Sequence, residues 1–124
     1  MFKPKGAFSG FSVDDLARAK EFYTRTLGVT MTDEGVGARL HLPGGTTVFT
    51  YPKADHQAAT FTILNFQVDD IDEAVDELTS RGVRFHHYEN SDPKGIMRGK
   101  EQNMGPNIAW FNDPAGNFLA VLED

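Results

Sequence analysis

The sequence contains no cysteine, which excludes disulfides, thiolate zinc sites and a cysteine nucleophile. It also lacks any apolar run near the ~20 residues that a membrane helix needs. Residues 1–6 carry two lysines with no apolar stretch behind them, so no secretory signal peptide is predicted. We therefore expect a cytoplasmic protein that has no membrane partner.

The sequence also has no excess of basic residues. It contains 12 Lys and Arg and 18 Asp and Glu, which gives a formal charge of −6. Nucleic-acid binders concentrate positive charge because phosphate neutralisation drives their affinity. The basic residues here are scattered, so no nucleic acid is predicted as a partner. What is present is a hydrophobic fraction of 40% with ten phenylalanines. This suffices to pack one domain over residues 1–124.

The chain repeats itself. Residues 11–19 (FSVDDLARA) recur as residues 66–74 (FQVDDIDEA), with five of the nine positions identical. Each copy begins as a strand and turns into an amphipathic helix at an aspartate pair. Each helix stops at a glycine, Gly28 or Gly82, as suits the left-handed residue after a C-cap. The repeat therefore predicts two similar halves.

Three short β-rich segments follow each helix. The predicted strands are residues 7–13, 30–32, 38–42 and 46–51 in the first half, and 61–68, 83–88, 107–111 and 117–122 in the second. The sequence thus predicts an α+β fold of two tandem βαβββ modules, at about 6–52 and 61–124, with a linker at 52–60. The polar segment 89–106 contains three glycines and is predicted to be a mobile flap.

Two motifs identify a family resemblance. Residues 13–16 (VDDL), followed by 21–23 (EFY) and 27–28 (LG), and residues 110–117 (WFNDPAGN) resemble the opening and the closing hairpin of the vicinal-oxygen-chelate superfamily. This group includes glyoxalases, bleomycin-resistance proteins and extradiol dioxygenases. The resemblance implies a curved mixed sheet around a cleft, and a homodimer. The rival ferredoxin-like fold needs a β-α-β-β-α-β order instead.

The resemblance also bears on metal binding. Metal-dependent members hold a divalent ion with His, Gln or Glu on the first and last strands of each module. Carried over to this sequence, those positions are Phe8, Val48, Ile63 and Ala120, or Phe49 if the alignment slips by one. None of these side chains can ligate a metal. We therefore expect no metal and no cofactor at the usual site, and the sequence identifies no catalytic residue.

Strand alternation predicts which side chains line the cleft. If Phe11 and Val13 face the helices, their strand neighbours face the other way. The lining predicted in this way combines apolar walls with a few polar groups: Phe8, Ser12, Arg39, His41, Val48, Thr50, Ile63, Asn65, Gln67, Trp110, Phe118 and Ala120. Such a lining suits an organic ligand. The alternative is that the apolar side chains of this lining pack against one another and leave no cavity.

Other polar residues favour structural roles. His86 and His87 are adjacent on a predicted strand, so they point to opposite faces and cannot easily share an ion. His56 is interpreted as part of a solvated loop. The aspartate pairs at 14–15 and 69–70 stand at the starts of the helices, where carboxylates cap free N–H groups.

Two functional hypotheses remain open. The first is a protein that binds a small, largely apolar organic molecule in its cleft without the usual metal. The second is a lyase, isomerase or dioxygenase of the same superfamily. It would use a divalent metal at a non-standard site, or metal-free acid/base chemistry through His41 or Arg39. The metal content of the purified protein would distinguish them best.

Overall fold

The computed structural model describes residues 1–124, which divide into two compact units, Met1–Gln57 and Ala58–Asp124. The division lies within the stretch 52–60. Each unit is a mixed four-stranded sheet with helical segments, so the predicted α+β fold class is confirmed. No helix has the length and apolar character needed to cross a membrane.

The first unit follows the predicted βαβββ order. Its elements are β1 (Ser9–Val13), α1 (Leu16–Glu21), a π-helical turn (Phe22–Thr26), β2 (Thr30–Glu34), β3 (Gly37–His41), a 3₁₀ turn (Pro43–Gly45) and β4 (Thr47–Pro52). The strand order across the sheet is β1-β4-β3-β2. The first strand pairs with the last in parallel, and the other two pairings are antiparallel. The last strand of the module therefore lies inside the sheet.

The second unit repeats this plan. Its elements are β5 (Thr62–Gln67), α2 (Ile71–Ser80), β6 (Met97–Arg98), a 3₁₀ turn (Gly99–Gln102), β7 (Asn107–Asn112) and β8 (Phe118–Glu123). The strand order is β5-β8-β7-β6, with β5 and β8 parallel. The prediction of a strand at 83–88 was wrong. That segment is joined to β7 by the bond from His86 N to Trp110 O (2.9 Å), and β6 takes its place as the second strand of the module in chain order.

The aspartate pairs cap the helices as predicted. Asp15 Oδ1 accepts a hydrogen bond from Arg18 N, and Asp70 Oδ1 accepts one from Glu73 N, each at 3.1 Å. The two caps have nearly the same backbone conformation, with φ and ψ of −134° and 105° at Asp15 and −136° and 105° at Asp70. A side-chain oxygen satisfies an N–H that has no partner in the first turn. The repeat in the sequence is thus a repeat in local structure.

The segment 89–106 is fastened at its centre rather than forming a free flap. Ile96 is fully buried, and Arg98 donates to both carboxylate oxygens of Asp72 on α2, at 2.9 and 2.7 Å. Asp92 accepts from Ile96 N and from the Arg98 guanidinium. Gly95 has a φ of 94°, and a Cβ there would lie 2.8 Å from His86 O. The segment packs closely at a position that only glycine fits.

Each sheet buries the face that its helix covers. In the first unit Phe11 and Val13 are buried, and the Phe11 ring lies 5.9 Å from that of Tyr23. In the second unit the Phe85 and Phe111 rings lie 5.4 Å apart. The buried apolar side chains are Phe11, Val13, Ala19, Tyr23, Val29, Ala38, Leu40 and Val48 in the first unit, and Ile71, Val75, Val83, Phe85, Ile96, Ala109, Phe111, Leu119, Ala120 and Val121 in the second. The opposite faces are therefore the candidates for function.

Candidate ligand-binding site

The predicted cleft residues fall into two sets, one on each sheet. In the first sheet Gly10 pairs with Phe49, and Phe49 pairs with Arg39, so these residues share a face. Phe8 belongs to the same face, since its ring lies 4.7 Å from the Arg39 guanidinium carbon and 6.5 Å from the Phe49 ring. By alternation Ser12 and His41 lie there too. This face carries aromatic rings around one guanidinium.

Val48 and Thr50 do not share that face. Val48 pairs with Leu40, and Thr50 pairs with Ala38, and all four are buried on the helix-covered side. Phe49 occupies the place expected for Val48, because the strand is displaced by one residue from the alignment. A shift of one residue moves every side chain of a strand to the other face. The assignment of Val48 and Thr50 to the lining was therefore wrong.

Arg39 and His41 already have partners within the sheet. Arg39 Nη2 donates to Glu34 Oε1 (3.1 Å) and Nη1 donates to Thr47 Oγ1 (3.2 Å). The Glu34 carboxylate raises the pKa of Arg39, and the guanidinium holds the pKa of Glu34 below its usual value. His41 Nε2 lies 2.9 Å from Thr32 Oγ1. The polar groups expected to orient a ligand in this unit are thus used in holding the strands together.

His56 is not the solvated loop residue that the sequence suggested. Its Nδ1 lies 2.6 Å from Ser12 Oγ, across 44 residues of chain, and the side chain is partly buried. The backbone bond from Lys53 N to Val13 O (2.9 Å) holds the same stretch against β1. These contacts fasten the chain after β4 to the end of β1.

The second sheet carries a continuous cluster of aromatic rings on the face away from α2, which we call the aromatic face. The His86 ring stacks on Phe118, with centroids 5.0 Å apart and planes 16° apart, and lies 6.1 Å from the Tyr88 ring. Tyr88 meets Trp110 edge-on at 5.7 Å. Trp110 Nε1 donates to Thr62 Oγ1 at 3.1 Å. Trp110 and Phe118 were predicted here, whereas His86, Tyr88 and Thr62 were missed.

Hydrogen bonding defines the tautomer of the neutral His86 ring. The amide nitrogen of Asn112 donates to the carbonyl oxygens of Gly116 (3.2 Å) and Asn117 (3.4 Å), so its Oδ1 is the atom that faces His86. Nε2 of His86 lies 2.6 Å from this oxygen, which can only accept. The neutral ring therefore carries its proton on Nε2 and leaves Nδ1 as an acceptor. The aromatic face thus has one basic nitrogen of defined tautomer.

The remaining predicted residues of this unit differ in exposure. Asn65 and Gln67 are exposed, and their register with Ala120 and Leu122 puts them on the aromatic face. Ala120 is on this face too but is fully buried. Ile63 falls at an irregularity of register between Thr62 and Leu64, so alternation does not define its direction. Ala120 is packed, and the two amides are the polar groups available to solvent.

The side chains present do not fit a metal at the positions that the resemblance implies. Phe8, Ile63 and Ala120 have no donor atoms, and neither Val48 nor its neighbour Phe49 supplies one. Divalent ions in proteins require several N, O or S ligands that converge. The structure contains no group of three or more His, Cys, Asp or Glu side chains able to hold an ion.

Comparison of the chain with a family model and with solved structures agrees with this fold. The family model described as the glyoxalase/bleomycin resistance protein/dioxygenase superfamily matches residues 9–121. The chain therefore belongs to this superfamily. No curated protein sequence matches it.

Three solved structures illustrate the likeness. A superfamily member from Sphaerobacter thermophilus is 25% identical with a TM-score of 0.68, over 96% of this chain and 98% of that one. An integron cassette protein from the mobile metagenome of the Halifax Harbour sewage outfall is 22% identical with a TM-score of 0.71, over 98% and 100%. The fosfomycin resistance protein FosX from Listeria monocytogenes is 13% identical with a TM-score of 0.70, over 99% and 95%. At these identities the likeness concerns the fold.

Proposed function

We propose that this protein binds a small, largely apolar organic molecule on the aromatic face of its second unit, without the metal site usual in the superfamily. The observation that carries the proposal is the row of four rings, Phe118, His86, Tyr88 and Trp110, with hydrogen-bonding groups beside them. The partly exposed rings offer a planar ligand apolar area worth about 25 cal/mol per Å² before the costs of association.

Polar groups beside the rings would orient the ligand. The exposed amides of Asn65 and Gln67 can both donate and accept hydrogen bonds, and His86 Nδ1 can accept one. A few polar groups beside an apolar wall are typical of small-molecule sites. We therefore expect the ligand to be a flat ring system with a hydrogen-bond donor at one edge.

Trp110 makes the proposal testable, because it is the only tryptophan in the chain and lies on the proposed site. We would screen aromatic metabolites and antibiotics, fosfomycin included, by quenching of intrinsic fluorescence. Tyr88→Ala should weaken binding of any hit at least several-fold, since it removes an exposed ring from the row. Phe2→Ala, which removes an exposed ring at the N-terminus, is the control. Equal affinity in the two variants would contradict the proposal.

The fixed tautomer of His86 supports a second candidate, an enzyme that uses metal-free acid/base chemistry. His41 and Arg39, first considered for this role, are hydrogen-bonded to Thr32 and Glu34. A neutral His86 with Nδ1 unprotonated could accept a proton from a bound molecule. Nitrogen NMR should show the Nε2–H tautomer of the neutral ring, and an Nδ1–H tautomer would remove the basis for this candidate.

The expected partners and location remain predictions. A homodimer follows from the resemblance alone, and light scattering of the purified protein would test it. A cytoplasmic location and the lack of a nucleic-acid partner follow from composition and charge.

A further inference from the structure

A pocket lies on the side of the second unit opposite the aromatic face, against α2. It has a volume of about 480 Å³ and is formed by α2, by the segment after it and by residues 93–94. Its apolar wall comes from Val75, Val83 and Phe85, which are all buried in the core. A volume of this size is within the range of small-molecule sites. No residue of the aromatic face takes part in it.

The rim of this pocket is basic although the chain as a whole is acidic. Arg84, His87 and Lys94 line it, with Asp76 as the single acid. Lys94 Nζ lies 3.0 Å from Asp76, so these two charges offset each other. Neither Arg84 nor His87 has a side-chain hydrogen bond or ion pair. One guanidinium is thus left without a counter-charge beside an apolar wall.

We propose that this pocket binds a small organic anion, with its apolar body against Val83 and Phe85 and its carboxylate or sulfonate on Arg84. A guanidinium presents donors in a planar fork that matches such groups, and charge-assisted hydrogen bonds are stronger than neutral ones. The neighbouring His87 can supply another donor. The pocket shares no residue with the aromatic face, so failure of one proposal would leave the other intact.

Two fluorescent probes test the anionic preference, anilinonaphthalene sulfonate and its uncharged counterpart N-phenylnaphthylamine. The wild type should bind the sulfonate more tightly. Arg84→Gln should weaken sulfonate binding about tenfold, the loss of one charge-assisted contact, and leave the uncharged probe unchanged. Arg25→Gln, an exposed arginine of the first unit, is the matched control. Equal effects of the two substitutions on the sulfonate would overturn the proposal.

A substitution that fills the pocket tests its location. Thr79 is an exposed residue of α2 on the pocket rim, and Thr79→Trp should abolish the sulfonate binding that depends on Arg84, whereas the aromatic face can still bind the uncharged probe. Glu73→Trp places the same ring on α2 outside the pocket and should leave binding intact. Thermal melts would establish whether both variants are folded. If Thr79→Trp does not fold, Arg84→Gln still tests the proposal. Unchanged sulfonate binding in a folded Thr79→Trp variant would show that the probe binds elsewhere.

Discussion

The hydroxyl of Thr50 is buried on the helix-covered face of the first sheet, and its Oγ1 has no hydrogen-bond partner. Burying such a group costs free energy that a methyl group would not. We expect Thr50→Val to raise the free energy of unfolding by about 1 kcal/mol in urea denaturation. Thr47→Val should not stabilise, because Thr47 Oγ1 accepts a hydrogen bond from Arg39. A loss of stability at position 50 would contradict this account.

Ala120 is fully buried on the aromatic face, so a larger side chain there must displace the atoms that cover it. Ala120→Phe should lower the free energy of unfolding by about 1–3 kcal/mol through overpacking. Ala54→Phe, at an exposed position after β4, serves as the control and should change stability little. If the Ala120 variant melts like the wild type, a cavity lies beside this residue.

Alternation along single strands predicted part of the candidate site. It placed Arg39 with His41, and Phe118 with Ala120, because both relations follow from period two within a regular strand. It failed at Val48, where the register was displaced by one residue, and at Ile63, where the register is irregular. Displacements of this kind depend on pairing between distant strands. A single sequence does not record them.

The N-cap of α2 stabilises the helix through the hydrogen bond from Glu73 N to Asp70 Oδ1. Asp70→Ala should destabilise the protein by about 1 kcal/mol, because Glu73 N loses its acceptor. Asp69→Ala is the natural control, since the cap is made by Asp70 alone. Thermal denaturation of the pair would measure the difference, and equal effects would mean that charge rather than capping matters.

The segment after α2 is held by ion pairs whose strength depends on pH. The hydrogen bonds from Arg98 lower the pKa of Asp72 to about 2, against the opposing effect of desolvation. A carboxyl group with a depressed pKa stabilises the fold above its unfolded pKa of about 4, and this contribution is lost as the pH falls toward 2. The Asp72 side chain is 44% exposed, so the contribution to stability is small.

NMR titration would measure this effect directly. In Arg98→Gln we expect the pKa of Asp72 to rise toward its ordinary value, but only part of the way, because Lys94 remains 3.4 Å from it. Lys53→Gln, which breaks an ion pair in the other unit, should leave the pKa of Asp72 unchanged. An unchanged pKa in the Arg98 variant would mean that the contact does not persist in solution.

Most elements could be predicted from local signals, and the exceptions depend on contacts between residues that are distant in the sequence. Helix starts, glycine stops and most strands follow from capping, backbone conformation and periodicity. The glycines and charges of segment 89–106 are typical of a mobile loop and do not reveal how its centre packs. Its packing depends on the burial of Ile96 and on ion pairs to α2, which join residues 18–26 positions apart. His86 was missed for the same reason, since its partners lie on β7 and β8.

At the scale of the whole molecule, the side chains at the usual metal positions allow a prediction about metal content. The positions implied by the superfamily carry no ligating atoms, so we expect far less than one zinc, nickel, manganese or iron per chain. Elemental analysis of protein purified without chelator would test this. A tightly held metal in stoichiometric amount would favour the enzyme alternative over simple binding.

The parallel pairing of the first and last strands within each unit has a consequence for synthesis on the ribosome. Because β4 lies between β1 and β3, the first sheet is incomplete until its last strand has left the exit tunnel. Domains generally fold as units, the N-terminal one first. We expect the nascent chain to stay unstructured through most of its first half and then close in one step. The second half would repeat that delay, with its terminal β8 as the strand that completes it.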